Sequence, residues 1–421
     1  MILNTGSSVH TQGFAMRFTT TLENGLTLRH LLNLTLAASS VLFSVVFIYC
    51  IYRLFQTYDW GQPFTKFLCF SGLFALCLTL FRHRQQTQSL PNFLFIGEAL
   101  FASLVVIAIF YRMLNGYGDA LFTAPTVDIG YTTEHAARLL FLQGENPYLS
   151  QEINIRPELA AEHRGFHYGP AMLLGYAPSA FFPGVGYKVM SMVFLAIAAI
   201  SMCMLIVGNM KGQSRWQVRS TVLIALMLFF LPERLWYEVF QVGANDIYPV
   251  SLLLLGMVFA QRDKWLWAGI LMGLSFATKF SPAAFLLAMF LRKDIRMTFL
   301  AGCVIGVTPM MAFLVWDYQS LMENVFFLRF GLNYDSTSLY SITPPVLHVL
   351  FPLAQLSALV YLLVRNFGRT LSTEETLVCF TLLLIIIEVT FKEIHANHLI
   401  WFYPLIAFIV ATYRHKLFPQ H

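Results

Sequence analysis

A long polar segment over residues 115–170 contains a side chain that could take part in a reaction, the carboxylate of Asp128. The sequence around it, TVDIGYTTEHAARLLFLQGENPY, predicts a short helix over 131–142 that Gly144 ends. An isolated carboxylate in such a segment can take a proton from an attacking hydroxyl group, and we expect Asp128 to act as a general base. The alternative is that Asp128 is an ordinary helix N-cap on a solvated loop.

Two other carboxylates lie close to Asp128 in the sequence. Asp119 and Glu134 could share or replace its role. Glu134 and His135 could also bind a metal ion together with Asp128, although one adjacent pair is a weak pattern for a metal site. These residues do not decide whether the protein needs a metal ion, and they identify no cofactor with certainty. A divalent cation stays an open alternative.

Lys279 is the cation that stands out, because it interrupts an apolar stretch in the sequence FATKFSP. An unpaired ammonium group in hydrocarbon costs about 2.5 kcal/mol or more. Lys279 must therefore reach the interface, pair with a carboxylate or bind an anion. Lysine is a common point-charge ligand of phosphate, and we expect a phosphate group here.

The segment over 232–249 is polar, although the apolar runs on both sides of it are too short to be complete membrane spans. We expect its polar side chains to face a water-filled pocket. These are Glu233, Arg234, Glu238, Asn245 and Asp246. The alternative is internal pairing of Arg234 with Glu233 or Glu238.

Three histidines and one arginine complete the set of expected contacts to a substrate. His395 and His398 are three residues apart, on one face of a helix start in the sequence EIHANHLIWFYP, and suit a phosphate or a sugar. His167 precedes the turn residue Tyr168 and is either an interfacial histidine or a substrate contact. Arg329, in a polar segment further along, is another cation.

The composition indicates a membrane protein. Of 421 residues, 57% are hydrophobic and only 12% are charged, whereas soluble domains have roughly 25% charged residues. The net charge of +5 is modest, and no basic patch with interleaved aromatic residues predicts nucleic-acid binding. The chain is therefore expected to be an all-α, polytopic membrane protein with about 11–13 transmembrane helices and a long first extracytoplasmic loop.

Apolar runs near the length of a bilayer core predict the spans. They are 31–55, 65–82, 92–113, 187–209, 218–231, 247–260, 265–279, 281–291, 297–316, 345–365, 375–391 and 398–412. The run over 169–184 is short and contains three prolines, so we expect it to be re-entrant. Several runs are too short to cross a bilayer straight, which favours broken helices around a cavity.

Every second connector between these runs is basic, which assigns those connectors to the cytoplasm. The interpretation is a cytoplasmic tail over 1–30, one transmembrane domain over 31–413 and a cytoplasmic tail over 414–421. Extracytoplasmic loops are expected over 114–168 and 317–344.

The order of the motifs resembles the GT-C superfamily of integral-membrane glycosyltransferases. It is most similar to the branch that depends on polyprenyl-phosphate mannose, which includes mycobacterial phosphatidylinositol-mannoside mannosyltransferases. The resemblance covers roughly 115–410 and rests on Asp128, Gly144-x-Asn146-Pro147-Tyr148, Tyr168-Gly169-Pro170, Gly243-Ala244-Asn245-Asp246, Lys279-Phe280-Ser281-Pro282 and the final H-x-x-H before a W-x-x-P helix.

The resemblance implies an active site on the extracytoplasmic side of a bacterial inner membrane. It also implies an inverting transfer from a polyprenyl-phosphate-linked sugar, mannose or another hexose, to a lipid or glycan acceptor, with membrane lipid as a further partner. Asp128 would be the catalytic base. The expected substrate-binding residues are Tyr148, His167, Tyr168, Asn245, Asp246, Lys279, Arg329, His395 and His398. The two additional N-terminal spans depart from the family pattern.

Two other classes of protein remain open at this point. A secondary transporter or lipid-linked sugar flippase could contain similar buried charges, but such proteins tend to show repeated halves, and no repeat is visible here. A non-catalytic subunit of a transferase complex is the other alternative, and it predicts that Asp128 tolerates substitution.

Overall fold

The structure is a computed structural model that describes residues 92–122, 128–150, 153, 165–280, 283–290, 292, 295–327, 343–366, 371–389 and 398–413. These residues form helices and connecting turns, with no β-strand among them. The prediction of an all-α protein is therefore confirmed. The predicted spans over 31–55 and 65–82 and the two predicted tails lie outside the described residues.

Fourteen α-helices are numbered here in chain order within the described residues. They are α1 (Asn92–Tyr117), α2 (Asp128–Arg138), α3 (Ala171–Tyr176), α4 (Gly186–Asn209), α5 (Arg215–Phe230), α6 (Glu233–Trp236), α7 (Ile247–Gln261), α8 (Trp265–Phe276), α9 (Ala283–Phe290), α10 (Met297–Gly306), α11 (Thr308–Leu321), α12 (Leu350–Asn366), α13 (Thr373–Val389) and α14 (Leu399–Tyr413). Wider π-helical turns continue α2 over Leu139–Gln143, α6 over Tyr237–Val242 and α11 over Met322–Phe327.

Several helices are long and apolar enough to cross a bilayer. Three do so without a break, namely Ile96–Tyr117, Gly186–Asn209 and Pro345–Asn366. Two further pairs qualify when each bent pair is taken together, one bent by 117° between α6 and α7 and one by 42° between α10 and α11. The chain is thus a polytopic membrane protein, and the broken spans that the short apolar runs predicted are present.

The sharper break separates α6 from α7. Gly243 ends the first helix with a positive φ of 67°, a conformation that glycine adopts at little cost. The backbone N–H of Ala244 donates to the Glu238 carbonyl at 2.8 Å and closes the turn. As a result, Asn245 and Asp246 lie at the start of α7, in the interior of the protein.

Helices α8 and α10 approach each other through glycine. Each contains a G-x-x-x-G pattern, Gly269–Gly273 in α8 and Gly302–Gly306 in α10. A Cβ atom at Gly269 would lie 2.1 Å from the Phe299 carbonyl oxygen, so only glycine permits this backbone contact. Small residues at this spacing are a common basis of helix association in membranes.

The segment predicted to be re-entrant forms two short helical pieces, α3 and a 3₁₀ helix over Ala177–Phe181. Eleven residues rise only about 17 Å, about half the thickness of a bilayer core. Its start is fixed by backbone pairing, since the Gly169 N–H donates to the Thr278 carbonyl at 2.8 Å. The polar segment before α3 is therefore held directly against the residues that precede Lys279.

Helix α11 extends into the region that the sequence assigned to the second outer loop. Asp317 has a non-helical backbone (φ −155°, ψ 86°), and this kink coincides with the expected start of the loop. The helical path then continues through Phe327. The remainder of the predicted loop, 328–342, lies outside the described residues.

Candidate functional site

A buried ion pair lies at the break between α6 and α7. The Lys279 ammonium group donates to Asp246 Oδ1 at 2.7 Å, with side-chain exposures of 9% for the lysine and 0% for the aspartate. The indole N–H of Trp401, from α14, donates to the same oxygen at 3.0 Å. Of the partners expected for Lys279, the structure shows a carboxylate of the protein itself.

The aromatic ring of Tyr168 lies beneath this pair. The Lys279 Nζ atom is 4.5 Å from the centre of the Tyr168 ring, a distance that allows a cation–π interaction. His167 packs beside it, with its ring centre 4.0 Å from that of Tyr168. Tyr148 is buried, and its hydroxyl group donates to the Tyr168 carbonyl oxygen at 2.7 Å. Tyr148 thereby supports the backbone that presents Tyr168 to Lys279.

The expectation that Asn245, Asp246 and Glu238 face a water-filled pocket is wrong, because all three side chains are buried. The other two residues of this set, Arg234 and Glu233, each contact another side chain of the protein. Arg234 bonds to Glu238 at 2.5 Å, which is the internal pairing that the sequence left open. Glu233 accepts a hydrogen bond from the Tyr117 hydroxyl group at 3.1 Å.

Helix α2 is joined directly to the break. The Asn245 side-chain amide donates to the Thr133 hydroxyl group at 2.9 Å. A Cβ atom at Gly130 would lie 2.6 Å from the Gly243 carbonyl oxygen, so the first turn of α2 touches the turn that precedes Asp246. Asp128 is the first residue of this helix, where its backbone is described and its side chain is not. The helix expected over 131–142 is thus present, and it begins at Asp128.

The Glu134 side chain, considered above as a base or a metal ligand, contacts the start of α4. Its two oxygens accept backbone N–H groups from Gly184 at 2.7 Å and Tyr187 at 3.3 Å, where α4 begins. A carboxylate at this position satisfies donors that the first turn of a helix leaves free. Burial raises the pKa of Glu134 above its usual value, and the two N–H groups oppose that rise. Glu134 therefore connects α2 to α4.

The turn after α2 packs against the kink in α11. The Asn146 side chain donates to Asp317 at 3.4 Å and accepts the Tyr148 N–H at 3.1 Å. Asn324, in the π-helical end of α11, donates to the Tyr148 carbonyl oxygen at 3.0 Å. These contacts hold the Asn-Pro-Tyr turn in place, and they give its asparagine a structural role.

A second, partly buried pair lies at the start of α14. His398 Nδ1 donates to Glu388 Oε2, from α13, at 2.6 Å. The side-chain exposures are 14% and 8%. Two further residues expected at the site, Arg329 and His395, lie outside the described residues. That His395 and His398 share one face of a helix therefore stays a prediction.

The described side chains add no further ligands to the metal site considered for Asp128, Glu134 and His135. That part of the chain contains no group of three or more His, Cys, Asp or Glu residues that could hold a metal ion. Glu134, the one acidic partner proposed for Asp128 in such a site, has both oxygens engaged by the start of α4.

Sequence reasoning missed three of the residues that build this region. Trp401 was not among the residues expected at the site, whereas its indole N–H donates to Asp246. Glu388 interrupts the apolar run LLLIIIEV, and a carboxylate in such a run is itself a signal of pairing or function. Nothing in the sequence indicated the hydrogen bond between Thr133 and Asn245, because threonine is common in amphipathic helices.

Several segments that are distant in the sequence meet in this cluster. The hydrogen bonds above join α2, the turn after it, the break before α7, the residues around Lys279, the kink of α11 and the start of α14. Buried charges of both signs thus lie against aromatic rings and a helix that begins with a carboxylic acid residue. Lys279 is the member of this set whose charge suits a phosphate group.

The family model for glycosyltransferase family 87 matches residues 166–387, more than half of the chain. The matched range includes His167, Tyr168, Asn245, Asp246 and Lys279, and it lies between Asp128 and His398. No curated relative matches the chain. With its membrane-spanning helices, the chain therefore belongs to glycosyltransferase family 87, a GT-C-type family, and is an integral membrane glycosyltransferase.

Proposed function

We propose that the protein transfers mannose or another hexose from a polyprenyl-phosphate-linked donor to a hydroxyl group of a lipid or glycan acceptor. The site faces the extracytoplasmic side of a bacterial inner membrane. The observation that carries the proposal is the buried Lys279–Asp246 pair, which lies beside the first turn of the helix that Asp128 begins. A lipid-linked sugar phosphate supplies an anion and can reach such a site from the bilayer.

In this mechanism the acceptor oxygen attacks the anomeric carbon of the sugar, and the new C–O bond forms with inversion. The bond between that carbon and the phosphate oxygen breaks, and polyprenyl phosphate leaves with the electron pair. Asp128 takes the proton of the acceptor hydroxyl group. Lys279 stabilises the negative charge that grows on the leaving phosphate, together with His398 or Arg329.

Lys279 can serve both Asp246 and a phosphate. An ammonium group has three donor hydrogens, and the bond to Asp246 uses one of them. Tyr168 packs under the ammonium group and restricts its position. Tyr148 and Asn146 act one step further away, because they hold the backbone around Tyr168 and the turn after α2.

The test measures sugar transfer by the purified full-length protein in proteoliposomes. The donor is radiolabelled mannosyl-phosphoryl-polyprenol and the acceptor is octyl mannoside. The nucleotide sugar GDP-mannose replaces the lipid donor in a parallel reaction. We expect transfer from the lipid donor alone, and transfer from GDP-mannose alone would overturn the proposed donor class.

The assignment of the base is tested with Asp128→Asn, which we expect to lower the transfer rate by about 10²–10⁴-fold while the thermal unfolding midpoint stays unchanged. Asp119→Asn is the matched control, since it removes a carboxylate that lies shortly before α2 in the sequence. A near-normal rate for Asp128→Asn would refute the assignment. A loss confined to Asp119→Asn would transfer the role to that residue.

A further inference from the structure

A groove lies along the second half of α4, toward the opposite end of that helix from the contact with Glu134. Its walls come from α4, α5 and the end of α7, and its volume is about 520 Å³. Ala199, Cys203 and Val207 line it along α4. From Ala199 to Gly208 the helix rises about 14 Å, which gives the groove the shape of an apolar channel that follows the helix axis. The volume lies within the range of about 300–1,000 Å³ typical of ligand sites.

Helices α4 and α7 are in close contact at one end of the groove. Gln261 donates to Asn209 Oδ1 at 2.6 Å and to the Leu205 carbonyl oxygen at 3.3 Å. A Cβ atom at Gly208 would lie 2.1 Å from Gln261 Oε1, so glycine leaves room for this amide. A polar tether thus fixes the two helices at the end of an otherwise apolar groove.

Two cations lie at the same end. Lys211 follows α4, Arg262 follows α7, and both line the groove. Both residues are exposed, and neither forms an ion pair with any residue whose placement is described. These helix ends carry the basic connectors that the sequence predicts to be cytoplasmic, whereas the start of α4 lies at the candidate site.

We propose that this groove binds an anionic glycerophospholipid. An acyl chain lies against Ala199, Cys203 and Val207, and the headgroup phosphate contacts Lys211 and Arg262. The apolar channel excludes a soluble anion as the intended ligand, because an anion would use only the cationic end. The pair of cations favours an anionic over a zwitterionic headgroup, since anionic lipids attract Lys and Arg near the membrane surface.

The test uses native mass spectrometry of the purified full-length protein, released from detergent after titration with phosphatidylglycerol or phosphatidylcholine of identical acyl chains. We expect tighter binding of phosphatidylglycerol. The double variant Lys211→Ala/Arg262→Ala should weaken phosphatidylglycerol binding by about 30-fold, roughly fivefold for each cation. The matched control is Arg215→Ala/Lys264→Ala, which removes two exposed cations near the same helix ends that do not line the groove.

The apolar part is tested with Cys203→Trp, which fills the channel and should weaken binding of both lipids. Equal affinities of the wild type for the two lipids would overturn the proposal, as would equal losses in the two double variants. Competition by glycerol phosphate at the concentration of the lipid would identify a soluble anion as the ligand instead. A change from dimer to monomer caused by Cys203→Trp would identify the groove as a contact between copies of the chain.

Discussion

Replacing Lys279 with methionine separates the two roles that the lysine can have, as a partner of Asp246 and as a ligand of the donor phosphate. Methionine has a similar length and no charge. The Lys279→Met variant leaves the Asp246 carboxylate fully buried and removes its ammonium partner, while the Trp401 N–H still donates to it. Removing one partner of a buried pair costs about 3–5 kcal/mol, because the other charge stays out of water. We expect a destabilisation of that size.

Adding Asp246→Asn to Lys279→Met should recover most of that stability. The variant side chain keeps an oxygen that can accept the Trp401 N–H, and no charge is left unpaired. Replacement of a buried ion pair by neutral side chains of similar volume is often close to neutral. The thermal unfolding midpoint in detergent, followed by tryptophan fluorescence, measures the recovery. Lys264→Met is the control, since an exposed lysine should change stability by less than about 0.5 kcal/mol.

Activity then distinguishes the roles. A hydrogen bond to a charged group contributes about 1.5–3 kcal/mol, so loss of a phosphate contact should slow transfer about 10- to 150-fold. The stable double variant should show this slow rate with the mannosyl-phosphoryl-polyprenol donor. Transfer by the double variant at the wild-type rate would refute the phosphate contact. Full stability of Lys279→Met alone would refute the argument from burial.

Two further predictions concern residues that position the site. Because burial raises the pKa of Glu134, the folded state holds a proton that the unfolded state has already lost, so wild-type stability should fall as pH rises from the usual glutamate pKa through the raised one. Glu134→Gln should remove this decline in the thermal unfolding midpoint, and parallel pH curves would contradict the assignment. Gly169→Ala should prevent stable folding, since its Cβ atom would lie 2.1 Å from the Ala277 carbonyl oxygen. Gly97→Ala, with open space around it, should be neutral or slightly stabilising in the same size-exclusion and unfolding measurements.

The positions of the helices were largely predictable from the sequence. A span needs a run of about 20 apolar residues, and this requirement leaves a strong local signal in a chain with few charges. The predicted run over 187–209 differs from Gly186–Asn209 by one residue at its start. The break before α7 was indicated in the same way, because Gly243 and polar residues interrupt runs that are too short.

The contacts within the site were much less predictable. A charge in an apolar run shows that some partner exists, but nothing local shows which one. Lys279 and Asp246 are 33 residues apart, and Trp401 is 155 residues from Asp246. These distances close only when α7, α8 and α14 pack together. Reasoning from one segment at a time therefore identified the charges, but it expected a phosphate beside Lys279 and water beside Asp246, where the fold places the two side chains against each other.

The pairing of Lys279 with Asp246 fits the proposed transferase better than an isolated lysine would. A bare ammonium group would bind the product phosphate more tightly than the donor, because the phosphomonoester carries more negative charge than the phosphodiester, and product release would then be slow. With Asp246 at 2.7 Å, part of the lysine's charge is already neutralised in the resting protein. In the proposed mechanism, the lysine responds most strongly to the leaving phosphate as its charge grows. Polyprenyl phosphate can then depart, because Asp246 competes for the same hydrogens.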